Sequence, residues 1–213
     1  MGTLSRKEQI RRIRREDIID AAERVFFAKG FTGSTVDDIA REAQYSKRTL
    51  YIYFTSKEQL YDAVVLRGYQ ALNRMYERAF AEQHPASGLA KVILMGDTYL
   101  DFIERHPQYF EAMILYPTRT EDLTDQDELK AANYREGNVG ADLLIAALRE
   151  GSADGSIAAD LDPVNTAFIL YANIIGVGQL ILRKAPYIAQ TYQRSMTDLV
   201  AELRKLIVRS LKP

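Results

Sequence analysis

The 213-residue chain has no cysteine, no tryptophan, only two histidines and six prolines. Without cysteine it can form neither disulfides nor zinc ribbons, and it has no thiol nucleophile. The histidines, His84 and His106, each precede a proline at an expected helix boundary, where a turn role is the default. No Ser/His/Asp arrangement, glycine-rich phosphate loop or metal-ligand spacing occurs, so neither enzymatic activity nor a cofactor or metal is expected. Period-two alternation, internal repeats and low-complexity tracts are also missing, which leaves an all-α chain. The N-terminus carries charge from Arg6 onward and has no apolar core. No signal peptide is expected, and the expected location is the cytoplasm.

Long apolar runs are nearly absent too. Thr166–Leu182 is the exception: it holds no charged residue and approaches the length that spans a bilayer. Asn173, Gln179, Gly176 and Gly178 interrupt it, so a helix buried in a bundle or a dimer interface is the better reading. No membrane partner is expected.

The net charge of −1 hides an asymmetry. Residues 1–56 hold 11 lysines and arginines against 8 acids, while residues 57–213 hold 17 against 21. The positive excess is concentrated in Arg6, Lys7, Arg11, Arg12, Arg14 and Arg15, the composition of a basic arm that meets phosphate.

What the chain has is a dense run of helix signals between Ser34 and Glu58. Thr35 is a good N-cap with Asp38 three residues on, and Val36, Ile39, Ala40 and Ala43 give an apolar face. Ser46 caps a second short helix whose inward anchors, Leu50 and Phe54, stand four apart. Only Gln44, Tyr45 and Ser46 separate the two, the connection of a helix-turn-helix. Ser56 with Gln59 then opens a longer helix. The second short helix starts with a hydroxyl, two cations and a hydroxyl (Ser46, Lys47, Arg48, Thr49), a terminus suited to phosphates and base edges. Arg48 and Lys47 are the candidates for base contact, and Thr35, Thr49, Tyr51, Tyr53 and Lys57 for phosphate.

From Ile18 to Leu60 the chain resembles the N-terminal domain of the TetR family of transcriptional regulators. The resemblance rests on Ala21-Ala22, Val25-Phe26, Gly30-Phe31, Thr35-Val36, Asp38-Ile39-Ala40, Ala43, Ser46-Lys47, Thr49-Leu50-Tyr51, Tyr53-Phe54 and Ser56-Lys57-Glu58. The family usually has Gly-Val where this chain has Gln44-Tyr45; a left-handed Gln44 would cost about 1 kcal/mol relative to glycine. The resemblance implies a three-helix DNA-binding head (1–56, with a basic N-terminal arm) and a helical-bundle body (57–213) that binds an effector and dimerises. It further implies a homodimer on double-stranded operator DNA, acting as a repressor released by a largely apolar small molecule. The alternative is a constitutive DNA-binding dimer without ligand control.

About nine helices are expected. The first spans about Arg15–Lys29, ended by Gly30, and the fourth Lys57–Glu82. Later ones span Leu89–Arg105, Pro107–Leu115 and Glu128–Glu150, then one opened by Asp162-Pro163 and a last from Gln190 to Ser210. The breaks between them include an acidic run from Pro117 to Glu128. The body is rich in aromatic and soft side chains, Met75 and Tyr76 among them. Tyr69, Met95, Tyr99, Phe102, Tyr109, Phe110, Met113, Tyr134, Phe168 and Tyr171 are the expected lining of the effector cavity, with Asn138 and Asn173 as polar anchors. Ile175, Gly178 and Leu182, with Leu199, Leu203 and Leu206, are expected at the dimer interface, beside Phe168.

Overall fold

A computed structural model describes residues 5–117 and 127–213, and all regular structure among them is helical. The elements are α1 (Arg6–Lys29), α2 (Val36–Glu42), α3 (Lys47–Tyr53), α4 (Lys57–Gln83), α5 (Gly88–Arg105), α6 (Pro107–Leu115), α7 (Glu128–Asp154), α8 (Pro163–Tyr192) and α9 (Met196–Leu211). The acidic run expected after Pro117 lies outside the described residues except at its end. Packing divides the chain into two compact units: Met1–Gly68 with Leu115–Asn133, and Tyr69–Ile114 with Tyr134–Pro213.

Two boundaries differ from the sequence expectation. The basic segment before Arg15 is the opening of α1, not an arm, because Ser5 and Glu8 form a capping box: Glu8 N–H donates to Ser5 Oγ, and Ser5 N–H to Glu8 Oε2 at 2.8 Å. Nothing apolar marks these turns as helical, since Ile10 and Ile13 are exposed. At the other end, α8 runs on to Tyr192 through Pro186, so the last helix starts at Met196 rather than Gln190. Gln193, at φ 53°, ends α8, and a Ser195–Asp198 capping box opens α9.

The first unit is built around Ile18, Ala21, Ala22, Val25 and Phe26 of α1, Ile39 and Ala40 of α2, and Leu50 and Phe54 of the α3 segment. It runs past residue 56 to Gly68 because the first turns of α4 pack into it. Leu60, Ala63, Val64 and Val65 are buried, and the Tyr61 ring meets Phe26 edge-on with centroids 5.3 Å apart. Arg67 fastens α4 to α1 through Glu16 (2.8 Å), Asp20 (2.6 Å) and Glu23 (3.1 Å). Three carboxylates around one half-buried guanidinium raise its pKa.

The second unit has a core of Leu89, Val92, Ala147, Leu148, Ile157, Ala167 and Leu211. Gly88 allows the start of α5 to lie against the backbone of Gly151, where a Cβ would collide with main-chain atoms. Gly137 and Gly140, one turn apart on α7, lie against the rings of Tyr69 and Tyr76 and so seat two aromatic rings.

Candidate functional site

In the first unit α2 and α3 form the helix-turn-helix, and the chain's own caps hold it rigid. Thr35 N–H donates to Asp38 Oδ2 at 3.1 Å and Asp38 N–H to Thr35 Oγ1 at 3.1 Å. Lys29 Nζ donates to Asp38 Oδ1 at 2.9 Å. The Lys29 bond and the Thr35 hydroxyl together hold the Asp38 carboxyl down at about 2. Ser46 Oγ accepts from Thr49 N–H at 3.1 Å and lies 2.8 Å from the Thr49 hydroxyl, which opens α3.

The turn adopts the conformation that glycine would favour. Gln44 has φ 57°, a left-handed backbone in a residue with a side chain. Tyr45 supplies an anchor there, because its hydroxyl donates to Asp17 Oδ2 at 3.0 Å and ties the turn to α1. The same bond raises the Tyr45 pKa.

Burial then fixes which face of α3 is free. Leu50 and Phe54 point inward, with the Arg15 guanidinium 5.1 Å from the Phe54 ring centre. Arg48, Tyr51 and Ile52, spaced at i, i+3 and i+4, therefore share the outward face. All three are exposed, Tyr51 by 48% and Ile52 by 63%. Ile52 is not among the residues expected from sequence, all of which are polar. The signal was available, since two inward anchors four apart fix the outward positions. Arg48 has no ion-pair partner among the described residues, whereas Lys47 Nζ is bonded to Asp37 at 2.9 Å and its pKa is raised.

The remaining expected DNA contacts differ in availability. Ser46 and Thr35 are exposed, but both hydroxyls are engaged in caps. Thr49 and Tyr53 are half-buried. Lys57 braces the protein itself, because its ammonium donates to the carbonyls of Phe31 (2.9 Å) and Ser34 (3.1 Å) and sits 4.2 Å from the Phe31 ring centre.

In the second unit, the phenols of Tyr69 and Tyr76 on α4, Tyr99 on α5 and Tyr171 on α8 lie close enough to interact electrostatically, with Tyr134 of α7 near Tyr69. Tyr76, named among the body aromatics but not with the cavity, belongs to this group. The rings of Tyr99 and Tyr171 meet edge-on at 6.3 Å. Met95, Phe102, Phe110 and Met113 are buried beside them, and the ring of half-buried Tyr109 lies tilted against His106 at 6.0 Å. Three expected cavity residues lie elsewhere. Asn138 is exposed, Asn173 is exposed with its amide spent on the Ile169 carbonyl, and Phe168 is 58% exposed.

Phe168 instead belongs to an apolar stripe on α8 with Val164, Ile175 and Leu182. The stripe leaves α8 long and apolar enough to cross a membrane by composition, yet largely unburied within the chain. On α9, Leu199 and Leu203 are half-buried and Leu206 is exposed. Gly178, expected at a contact between subunits, is buried within its own chain. A Cβ there would stand 2.7 Å from Phe110 Cζ and 2.8 Å from Ile103 Cδ1, so the close approach that requires glycine is intramolecular.

Residues 18–64 match the family described as bacterial regulatory proteins, tetR family. Over 153 residues the chain is 30% identical to the HTH-type transcriptional repressor KstR2 of Mycolicibacterium smegmatis, covering 70% of each chain. Over 96 residues it is 30% identical to the HTH-type transcriptional repressor NicS of Pseudomonas putida; the match covers 45% of this chain and 44% of NicS, less than half that relative's length. The crystal structure of the transcriptional regulator FadR from Bacillus subtilis, in complex with stearoyl-CoA, has a TM-score of 0.67 at 21% identity, over 92% of this chain and 98% of FadR. This last likeness is one of fold.

Proposed function

This chain belongs to the TetR family of bacterial regulatory proteins, and from that premise we propose that it is a repressor released from a near-palindromic operator by a small, largely apolar effector. The observation that carries the DNA half is the outward stripe of Arg48, Tyr51 and Ile52 on a short helix locked by Leu50 and Phe54. Arginine can grip guanine O6 and N7, and an exposed isoleucine suits a thymine methyl. Arg6, Lys7, Arg11 and Arg12, exposed on the first turns of α1, supply sequence-independent attraction to phosphate. Thr35, Thr49, Tyr51 and Tyr53 are the further candidates for backbone contact. Lys57 acts on DNA only indirectly, by shaping the 31–34 loop.

The operator reading needs two heads. The α8 stripe of Val164, Phe168, Ile175 and Leu182, with Leu199, Leu203 and Leu206 of α9, is the surface assigned to the second copy. Two heads then read half-sites about 34–36 Å apart, or a multiple of that spacing. The chain of α4 starts in the first unit and ends in the second, with Tyr69 and Tyr76 in its later turns. An effector preferring one arrangement of those turns would shift the heads, and only that differential affinity drives release.

Selection of bound sequences from random duplex DNA tests the proposal. The expected result is an inverted repeat bound by two chains. Failure to enrich any sequence, or enrichment of a single half-site bound by one chain, refutes it.

A further inference from the structure

Within the second unit, four phenols from α4, α5 and α8 come together with no buried lysine or arginine beside them among the described residues. Asn73 and Thr98 are the buried polar residues there, and no acid or base of that unit is buried among the described residues. Lys91 pairs with Glu150, Glu111 with Arg183 (3.4 Å) and Asp97 with Arg204 (3.2 Å), while the half-buried Glu136 carboxylate accepts from the Asn73 amide at 2.8 Å. Burial pushes the pKa of Tyr69, Tyr76, Tyr99 and Tyr171 up, so all four remain protonated donors near neutrality.

Two of these hydroxyls have no partner in the cluster. The Tyr99 and Tyr171 rings lie against each other at 6.3 Å, and Tyr171 is 42% exposed. Tyr76 is only 4% exposed, and its hydroxyl has no hydrogen-bond partner among the described residues. The Tyr69 hydroxyl likewise has none. Neither hydroxyl is fully enclosed, since the enclosed side-chain atoms without a partner among the described residues are Asn133 Oδ1 and Gln179 Nε2, so both phenols face accessible space. The walls are aromatic: Tyr99 meets Phe102, Phe110 and Tyr171 edge-on at 6.1–6.3 Å. Gly137 and Gly140 keep α7 from intruding on the rings of Tyr69 and Tyr76.

We infer that this cluster receives an uncharged, ring-bearing ligand that accepts hydrogen bonds from Tyr76 and its neighbouring phenols. The inference rests on the effector reading above and narrows it. A carboxylate or phosphate placed among these side chains would lose its hydration with no cation to replace it, whereas a ketone or ether oxygen takes up the unsatisfied donors. Aromatic walls suit a ring, which stacks or meets them edge-on. A site whose donors await an acceptor also discriminates strongly against analogues that lack one.

The test uses the full chain and three probes: Nile red (neutral, polycyclic, with a ring carbonyl), anilinonaphthalene sulfonate (anionic, aromatic) and stearoyl-CoA. Nile red should bind at least tenfold more tightly than either anion. Tyr76→Phe should weaken Nile red by about three- to tenfold, the loss of one neutral hydrogen bond. The same variant should leave the melting temperature of the free chain nearly unchanged, because the Tyr76 hydroxyl bonds no other described residue. Tighter binding of an anion, Nile red binding that ignores Tyr76→Phe, or binding of no probe each overturns the inference. Operator binding in saturating Nile red separates the two ideas: Tyr76-dependent binding that leaves DNA affinity unaltered sinks the effector reading and spares the ligand class.

Discussion

Gly178→Ala is the substitution whose outcome the packing determines most directly. In an exposed helix interior, glycine to alanine stabilises by about 1 kcal/mol. At Gly178 the added methyl meets Phe110 Cζ at 2.7 Å and Ile103 Cδ1 at 2.8 Å, closer than real Cβ contacts, and Phe110 Cε1 at 3.0 Å. Both neighbours are fully buried, so neither can swing into solvent to make room. Overpacking of this kind costs about 1–3 kcal/mol, and near its upper end it outweighs the helix gain, leaving a net loss of roughly 1–2 kcal/mol. For a chain of this size that lowers the melting point by about 2–8 °C. Gly96→Ala is the internal control, since a Cβ at 96 meets nothing within 4 Å, and it should raise stability by up to about 1 kcal/mol. Urea and thermal unfolding at one fixed chain concentration measure both, because dimerisation makes stability depend on concentration. If Gly178→Ala matches or exceeds the parent in stability while Gly96→Ala behaves as expected, the intramolecular assignment of Gly178 is wrong.

Three further outcomes follow from the first unit. Gln44→Gly should stabilise the chain by about 1 kcal/mol by relieving the left-handed strain at φ 57°, and a lower midpoint in urea would show that the Gln44 side chain contributes more than its backbone costs. Asp38, held at about 2 when folded against an ordinary 3.8, binds its proton more readily unfolded. Its contribution is therefore complete above pH 4 and lost as pH falls toward 2, so Asp38→Asn should flatten that part of the acid-unfolding curve, while an unchanged curve would remove Asp38 from the acid response. Removing residues 1–12 takes away Arg6, Lys7, Arg11 and Arg12 and should make log affinity for DNA less steep in log salt by about 0.9 for each phosphate no longer neutralised; an unaltered slope would make these turns a solvated helix end.

The head was legible in the sequence because its signals are local. Thr35, Ser46 and Ser56 announce helix starts, and Leu50 with Phe54 fixes an inward face, so element order and the reading helix follow from spacing alone. The first turns of α1 were not legible, because a helix polar on every side carries no periodicity and only the Ser5–Glu8 cap betrays it. Lys57 illustrates a second limit. Its charge suggested phosphate, but its partners are carbonyls 23 and 26 residues earlier, a tertiary fact. Gly178 illustrates a third, since a glycine in an apolar run signals close approach without saying which helix approaches. The phenol cluster depended on where α4, α5, α7 and α8 meet, and sequence could supply only its members. Asn138 and Phe168 were misplaced for that reason: composition gives no helix rotation where apolar residues occupy most sides.

Sequence reading by the exposed face of α3 is tested most directly by one ratio. It is the affinity of the full chain for its selected operator over that for a scrambled duplex, at a single salt concentration, in the parent and in Arg48→Ala. A specific regulator should show a ratio of about 10³ or more. Arg48→Ala should cut it by roughly five- to 150-fold, the equivalent of about 1–3 kcal/mol of base discrimination, with little change on the scrambled duplex. A parent ratio near one, or an equal loss on both duplexes in the variant, would contradict the assignment.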